Sequence, residues 1–149
     1  MERNLSMGLR FALLYREFNK KMDARAKSLG LTGVQLRVLG ELMALEDGGR
    51  EEICQRDLEQ AERVTHPTMT TILQRLEEKG FITCQPGRSD RRQKLIASTP
   101  QARAMQADVA PNDAQTFQEL CRGLTPEQIQ AFLEITDVML GNILGKTGE

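Results

Sequence analysis

The chain has 149 residues and a formal net charge of −1, enough for one compact domain with a core, or for a small domain plus an oligomerisation arm. It shows no charged-then-apolar leader and no apolar run long enough to cross a bilayer, so a cytoplasmic protein with no membrane partner is expected. Three widely spaced cysteines (Cys54, Cys84, Cys121) and a single histidine (His66) exclude a disulfide framework and a zinc cluster, and neither a metal nor a cofactor is expected.

Leu5 to Leu29 carries Leu9, Ala12, Leu13, Phe18, Met22, Ala26 and Leu29 on one face, which predicts a first helix ended by Gly30. Thr32 and Gln35 have the spacing of a capping box, with Leu31 and Leu36 placed to staple it. The helix they open is expected to run to about Leu45 and to bury Leu36, Leu39, Gly40 and Met43. A Gly-rich loop over residues 46–50 follows, then a short strand at Ile53 and Cys54, then a short helix from Gln55 to Ala61 anchored by Leu58.

Thr65 is the expected cap of the fourth helix, with His66 at its first position and Pro67 in its first turn, where a missing N–H is tolerated. Met69, Ile72, Leu73 and Leu76 follow the i, i+3, i+4, i+7 pattern of a buried stripe, and Lys79-Gly80 stops the helix. His66, Pro67, Thr68, Thr70, Thr71, Gln74 and Arg75 are left on the outer sides. Residues 81–85 and 93–98 read as two strands joined by a turn over Pro86 to Asp90. Thr99-Pro100 opens a fifth helix that Pro111 is expected to kink or break near residues 108–110. Thr125, Pro126 and Gln128 open a sixth, with Leu124 and Ile129 as staple, a buried stripe of Ile129, Phe132, Leu133, Met139, Leu140 and Ile143, and a stop at Gly145.

Charge is uneven along this order. Residues 62–94 hold seven cations against four anions, residues 95–149 three against seven, and residues 1–61 ten against ten. A basic middle on a neutral-to-acidic frame is the footprint of a local DNA-binding face. The bare N-terminus of the fourth helix presents N–H groups to phosphate, and Thr68, Thr70 and Thr71 add hydroxyls and methyls suited to base edges or phosphate. Arg75 lies one turn on, within reach of phosphate, and His66 is read as a capping or phosphate contact. Arg88, Arg91 and Arg92 suit a minor groove.

Three helices and a hairpin in this order make a winged helix-turn-helix. Leu31-Thr32-x-x-Gln35-x-x-Val38-Leu39, Asp57-Leu58, Thr68-Met69-Thr70, Leu73-x-Arg75-Leu76-Glu77-x-Lys79-Gly80-Phe81-Ile82, Asp90-Arg91-Arg92 and Thr99 together resemble the MarR family of bacterial regulators over roughly residues 5–145. The resemblance implies a homodimer joined through helices 1, 5 and 6, a recognition helix at 65–79 and a wing at 82–98. The expected fold is therefore mainly α with a small β-hairpin wing: residues 32–99 as DNA-binding domain, and 1–31 with 100–149 as a helical dimerisation arm built from both chain ends. Two departures stand out: Gln101-Ala102 replaces a glycine usual after the wing threonine, and Thr71 replaces an arginine found in many members. By analogy with the family's wing brace, Asp90 and Arg92 form a brace that leaves Arg91 or Arg88 for DNA, the reverse assignment staying open.

The function expected is a homodimeric repressor on a pseudo-palindromic double-stranded operator, modulated by a small-molecule effector near Arg10, Leu14, Tyr15 and Phe18. The DNA contacts are expected from Thr65, His66, Pro67, Thr68, Thr70, Thr71, Gln74, Arg75, Arg88, Asp90, Arg91 and Arg92. Two alternatives stay open: a winged-helix protein-interaction module without a DNA role, and a regulator that senses oxidants through a thiol. An enzyme is not expected, since there is no nucleophile–base set, phosphate-cradling glycine loop or metal cluster.

Overall fold

The computed structural model describes residues 4–144, with the backbone alone over 107–115. The elements are α1 (Met7–Ser28), α2 (Gly33–Asp47), α3 (Gln55–Glu62), α4 (His66–Glu78), β1 (Ile82–Pro86), β2 (Lys94–Ser98), α5 (Pro100–Leu120) and α6 (Pro126–Leu144). By internal packing the chain divides into a unit of residues 1–113 and a unit of residues 114–149. Among the described residues no helix is long and apolar enough to cross a membrane.

The first unit holds the core. Val38, Leu39, Leu58, Met69 and Leu76 are essentially inaccessible, and Ile53, Ile82, Ile96 and Ala102 close around them. Each buried leucine or methionine of this kind stabilises the fold by about 1.5–3 kcal/mol relative to an exposed one. The capping box of α2 is formed: Gln35 N donates to Thr32 Oγ1 at 3.2 Å, and Thr32 N donates to Gln35 Oε1 at 3.1 Å. The α2 helix runs two residues past the expected Leu45 and adds Gln35, Val38 and Leu42 to the buried face. Ile53 and Cys54 extend the hairpin by a single bridge, Cys54 to Leu95, with Ile96 N donating to Ile53 O at 2.8 Å.

β1 and β2 pair antiparallel, Ile82 with Ser98 through Pro86 with Lys94. Thr99 locks the hairpin to the end of α4: its N–H donates to Phe81 O at 3.1 Å and its hydroxyl to Gly80 O at 2.7 Å. Arg103 then ties the start of α5 to α2, donating to Asp47 Oδ1 at 2.8 Å and to Glu46, whose other oxygen accepts the Ser98 N–H at 2.8 Å.

Two expectations are corrected here. Of the kink or break expected at Pro111, the break is absent: α5 continues from Pro100 to Leu120. One proline removes a single N–H, and the turns on either side carry the helix across it. The α6 stripe is not buried by this chain: Phe132, Leu133, Met139, Leu140 and Ile143 are all exposed, and Ile129 is half-buried. The cap of α6 is nevertheless as expected, with Thr125 N donating to Gln128 Oε1 at 2.9 Å and Gln128 N to Thr125 Oγ1 at 3.2 Å. In the first unit α1 likewise buries only Ala26 and leaves Leu9, Phe11, Leu14, Tyr15 and Phe18 exposed. The stop expected at Gly145 lies outside the described residues.

Candidate nucleic-acid interface

Helix α4 is held from one side only. Met69, Ile72, Leu73 and Leu76 are buried, whereas His66, Pro67, Thr68, Thr70, Thr71, Gln74 and Arg75 are exposed. Its C-terminus is fixed by Gly80 at φ +79° and by Lys79, whose Nζ donates to Gly30 O at 2.5 Å and to Gln35 Oε1 at 3.0 Å. Lys79 thus acts as a strut to the α1–α2 turn, a role its place beside a helix end does not disclose.

The polar side of α4 is more ordered than its sequence implies. Thr65 occupies the cap position, but its hydroxyl bonds the Thr68 hydroxyl at 2.9 Å rather than a backbone N–H. Thr70 Oγ1 donates to His66 O at 2.9 Å and Thr71 Oγ1 to Pro67 O at 3.1 Å. Their hydroxyl protons are therefore engaged within the helix, and they present lone pairs and methyl groups outward. Arg75 is paired with Glu78 at 3.1 Å, and Gln74 donates to the same carboxylate at 3.3 Å. An exposed pair of this kind is worth at most about 1 kcal/mol, so it leaves Arg75 able to exchange partners.

Two residues of α3 that sequence reasoning passed over reach this surface. Gln55 Nε2 lies 2.8 Å from Thr70 Oγ1, 2.8 Å from Glu59 Oε1, 3.2 Å from His66 O and 3.1 Å from His66 Nδ1. Glu59 Oε1 is itself 2.6 Å from His66 Nδ1. No local spacing signals these contacts, because they depend on how α3 packs across α4. Nearer the start of α3, burial works to raise the Asp57 carboxyl, but bonds from Cys54 N–H and Sγ and the Arg50 guanidinium outweigh it and hold the carboxyl below its usual range.

The wing tip is built on Gly87. A Cβ there would stand 2.5 Å from Asp90 O and 3.0 Å from Gln93 O. This closeness lets Gly87 N donate to Gln93 O at 2.6 Å and Gln93 N to Asp90 O at 3.1 Å. Asp90 Oδ1 accepts the backbone N–H of Arg92 at 2.9 Å. The brace therefore runs through the Arg92 main chain and not its guanidinium. Arg88, Arg91 and Arg92 are exposed, and among the described residues their side chains form no hydrogen bond or ion pair. Helix and wing meet in one open cleft of about 370 Å³, lined by Cys54, Gln55, Arg56, His66 and Thr70 on one side and Arg92, Gln93 and Lys94 on the other.

A second groove, also about 370 Å³, lies between α1 and α2. Tyr15 and Phe18 line it with Met22, Asp23, Val34 and Arg37, whereas Arg10 and Leu14 do not. Among the described residues, no group of three or more His, Cys, Asp or Glu side chains stands together to hold a metal ion. Two of the three thiols are poorly placed for reactivity: Cys121 is buried, and burial together with the Glu77 carboxylate pushes the Cys84 thiol up.

The sequence model of the MarR family matches residues 29–93. The MarR fold extends well beyond that match. MepR of S. aureus, solved in complex with DNA, superposes with a TM-score of 0.81 at 22% identity, covering 95% of this chain and 99% of that one. A mutant MarR of E. coli complexed with operator DNA superposes at 0.77 and 21% identity, covering 90% and 93%. The regulator MarR of Oenococcus oeni superposes at 0.71 and 24% identity, covering 91% and 98%.

Proposed function

We propose that this MarR-family protein is a cytoplasmic, sequence-specific DNA-binding repressor that acts as a homodimer and is modulated by a small-molecule effector. The observation that carries the reading is the shared cleft, where the polar face of α4 and the cationic wing line one surface. The N-terminal half of α4 enters a major groove, with His66, Thr68, Thr70, Thr71 and Gln74 toward base edges and Thr65, Pro67 and Arg75 toward the backbone. Arg88, Arg91 and Arg92 reach phosphate or the adjacent minor groove, and Asp90 holds the loop that presents them.

The exposed apolar faces of α1 and α6 support the homodimer, since each is of the kind a second copy covers. In this reading residues 32–99 read DNA, and 1–31 with 100–149 join the two copies. Two recognition helices then address half-sites roughly 34 Å apart. A ligand in the α1–α2 groove, against Tyr15 and Phe18, biases the dimer toward a spacing that no longer matches both half-sites.

A binding titration against the DNA upstream of the protein's own coding sequence, beside a scrambled duplex, tests this. Preferential, salt-sensitive binding by a dimer is the expected result. Equal weak binding to both duplexes by a monomer would overturn it and favour a protein-interaction module.

A further inference from the structure

We infer that Glu59 is a positioning residue that holds His66 in the Nδ1–H tautomer, so that His66 presents a bare Nε2 as acceptor to an exocyclic amino group of adenine or cytosine. The inference rests on the DNA-reading function proposed above. It starts from the 2.6 Å separation between His66 Nδ1 and Glu59 Oε1. A carboxylate oxygen only accepts, so a contact that short requires a proton on Nδ1. The two amide hydrogens of Gln55 then go to its two nearest acceptors, Glu59 Oε1 and Thr70 Oγ1, each at 2.8 Å. The approach of Gln55 Nε2 to His66 Nδ1, at 3.1 Å, is a contact without a proton between them.

With Nδ1 protonated, a neutral imidazole has an acceptor at Nε2. The His66 side chain is 74% exposed, so this atom is available to a ligand. His66 is the first residue of α4, and the N-terminal residues of a recognition helix face base edges. Phosphate oxygens, guanine N7 and O6, and thymine O4 are all acceptors and do not match a bare nitrogen. The major-groove donors are the amino groups of adenine and cytosine. His66 thereby reads a base instead of binding phosphate.

The charged groups around His66 are Glu59 and Arg56 on α3 and Arg92 and Lys94 on the wing, with the Cys54 thiol at the rim. Glu59 is the one anion among them. It holds Nδ1–H, and the three cations are left to engage the backbone.

The test uses the full chain and two readouts. His66 is the only histidine, so with heavy-nitrogen-labelled histidine the imidazole resonances belong to it alone. At about pH 8 the proton is expected on Nδ1. Glu59→Ala moves it to Nε2, the form free histidine favours in water, whereas Glu59→Gln, whose amide oxygen still accepts, keeps it on Nδ1. A proton on Nε2 in the unaltered protein, or a tautomer indifferent to Glu59→Ala, overturns the inference.

The second readout is selection from randomised duplex DNA. Adenine or cytosine is expected at one position of each half-site with about fivefold preference. That preference is kept in Glu59→Gln and lost in Glu59→Ala. Selected sites that do not change with Glu59→Ala overturn the inference and leave the DNA-reading function standing. Selection that enriches no sequence overturns both.

Discussion

Helices α4 and α6 both carry apolar stripes of helical spacing behind a threonine cap and an early proline, yet one is covered and the other is not. In α4, Met69, Ile72, Leu73 and Leu76 are no more than 8% exposed; in α6, Phe132, Leu133, Met139 and Leu140 are 40–50% exposed. The difference lies in what surrounds them. The α4 helix packs against α2, α3 and the hairpin within its own unit, whereas the α6 stripe stays about half exposed. Periodicity says that a face must be covered and leaves open which molecule covers it.

The largest effect that sharpens this comparison is in the core. Leu76→Ala is expected to destabilise the protein by about 2–5 kcal/mol, measured by denaturant unfolding, because it opens a cavity with no route to collapse. Leu140→Asp is expected to act differently. It should leave the folded signal of a dilute sample nearly unchanged, yet convert a dimer to a monomer in sedimentation and abolish the concentration dependence of the Tm. A Leu140→Asp protein that remains dimeric would break the comparison by removing α6 from the interface.

Gly87→Ala comes next. A methyl group 2.5 Å from Asp90 O forces the wing turn open. DNA affinity should fall about tenfold or more, while the Tm moves by only a few degrees, since the turn lies far from the core. Equal binding by the variant would mean that the wing tip does not meet DNA.

Asp57→Asn should have a smaller, pH-dependent effect of about 1 kcal/mol at neutral pH, as for a lost helix cap. The folded carboxyl sits below its ordinary value of 3.8, so its contribution is fully present above that value and is lost as pH falls through the lower, folded-state value. Urea unfolding of the two proteins should therefore converge in strong acid. A difference that persists there would assign the effect to packing.

The sequence was most legible where contacts are local. Both capping boxes, at Thr32 with Gln35 and Thr125 with Gln128, depend on residues three apart and form as expected. The buried stripe of α4 and the two strands follow from period alone. Contacts made across elements were not legible. Lys79 bonds Gly30 from 49 residues away, and Gln55 reaches Thr70 from 15. The wing brace was half visible: Asp90 and Arg92 were the correct pair, but only the folded turn shows that the bond falls on the backbone N–H. Pro111 does not break α5, because the helical turns on either side carry the chain across it.

The central claim is that α4 and the wing meet DNA together, and salt dependence tests it most directly. DNA affinity would be measured across a range of salt for the unaltered protein and for the variant with Arg88, Arg91 and Arg92 all changed to Ala. The account predicts a shallower slope for the variant by up to about 0.9 per lost phosphate contact, with sequence preference at the α4 positions retained. An unchanged slope would contradict it, because three unpartnered wing cations would then lie away from the nucleic acid.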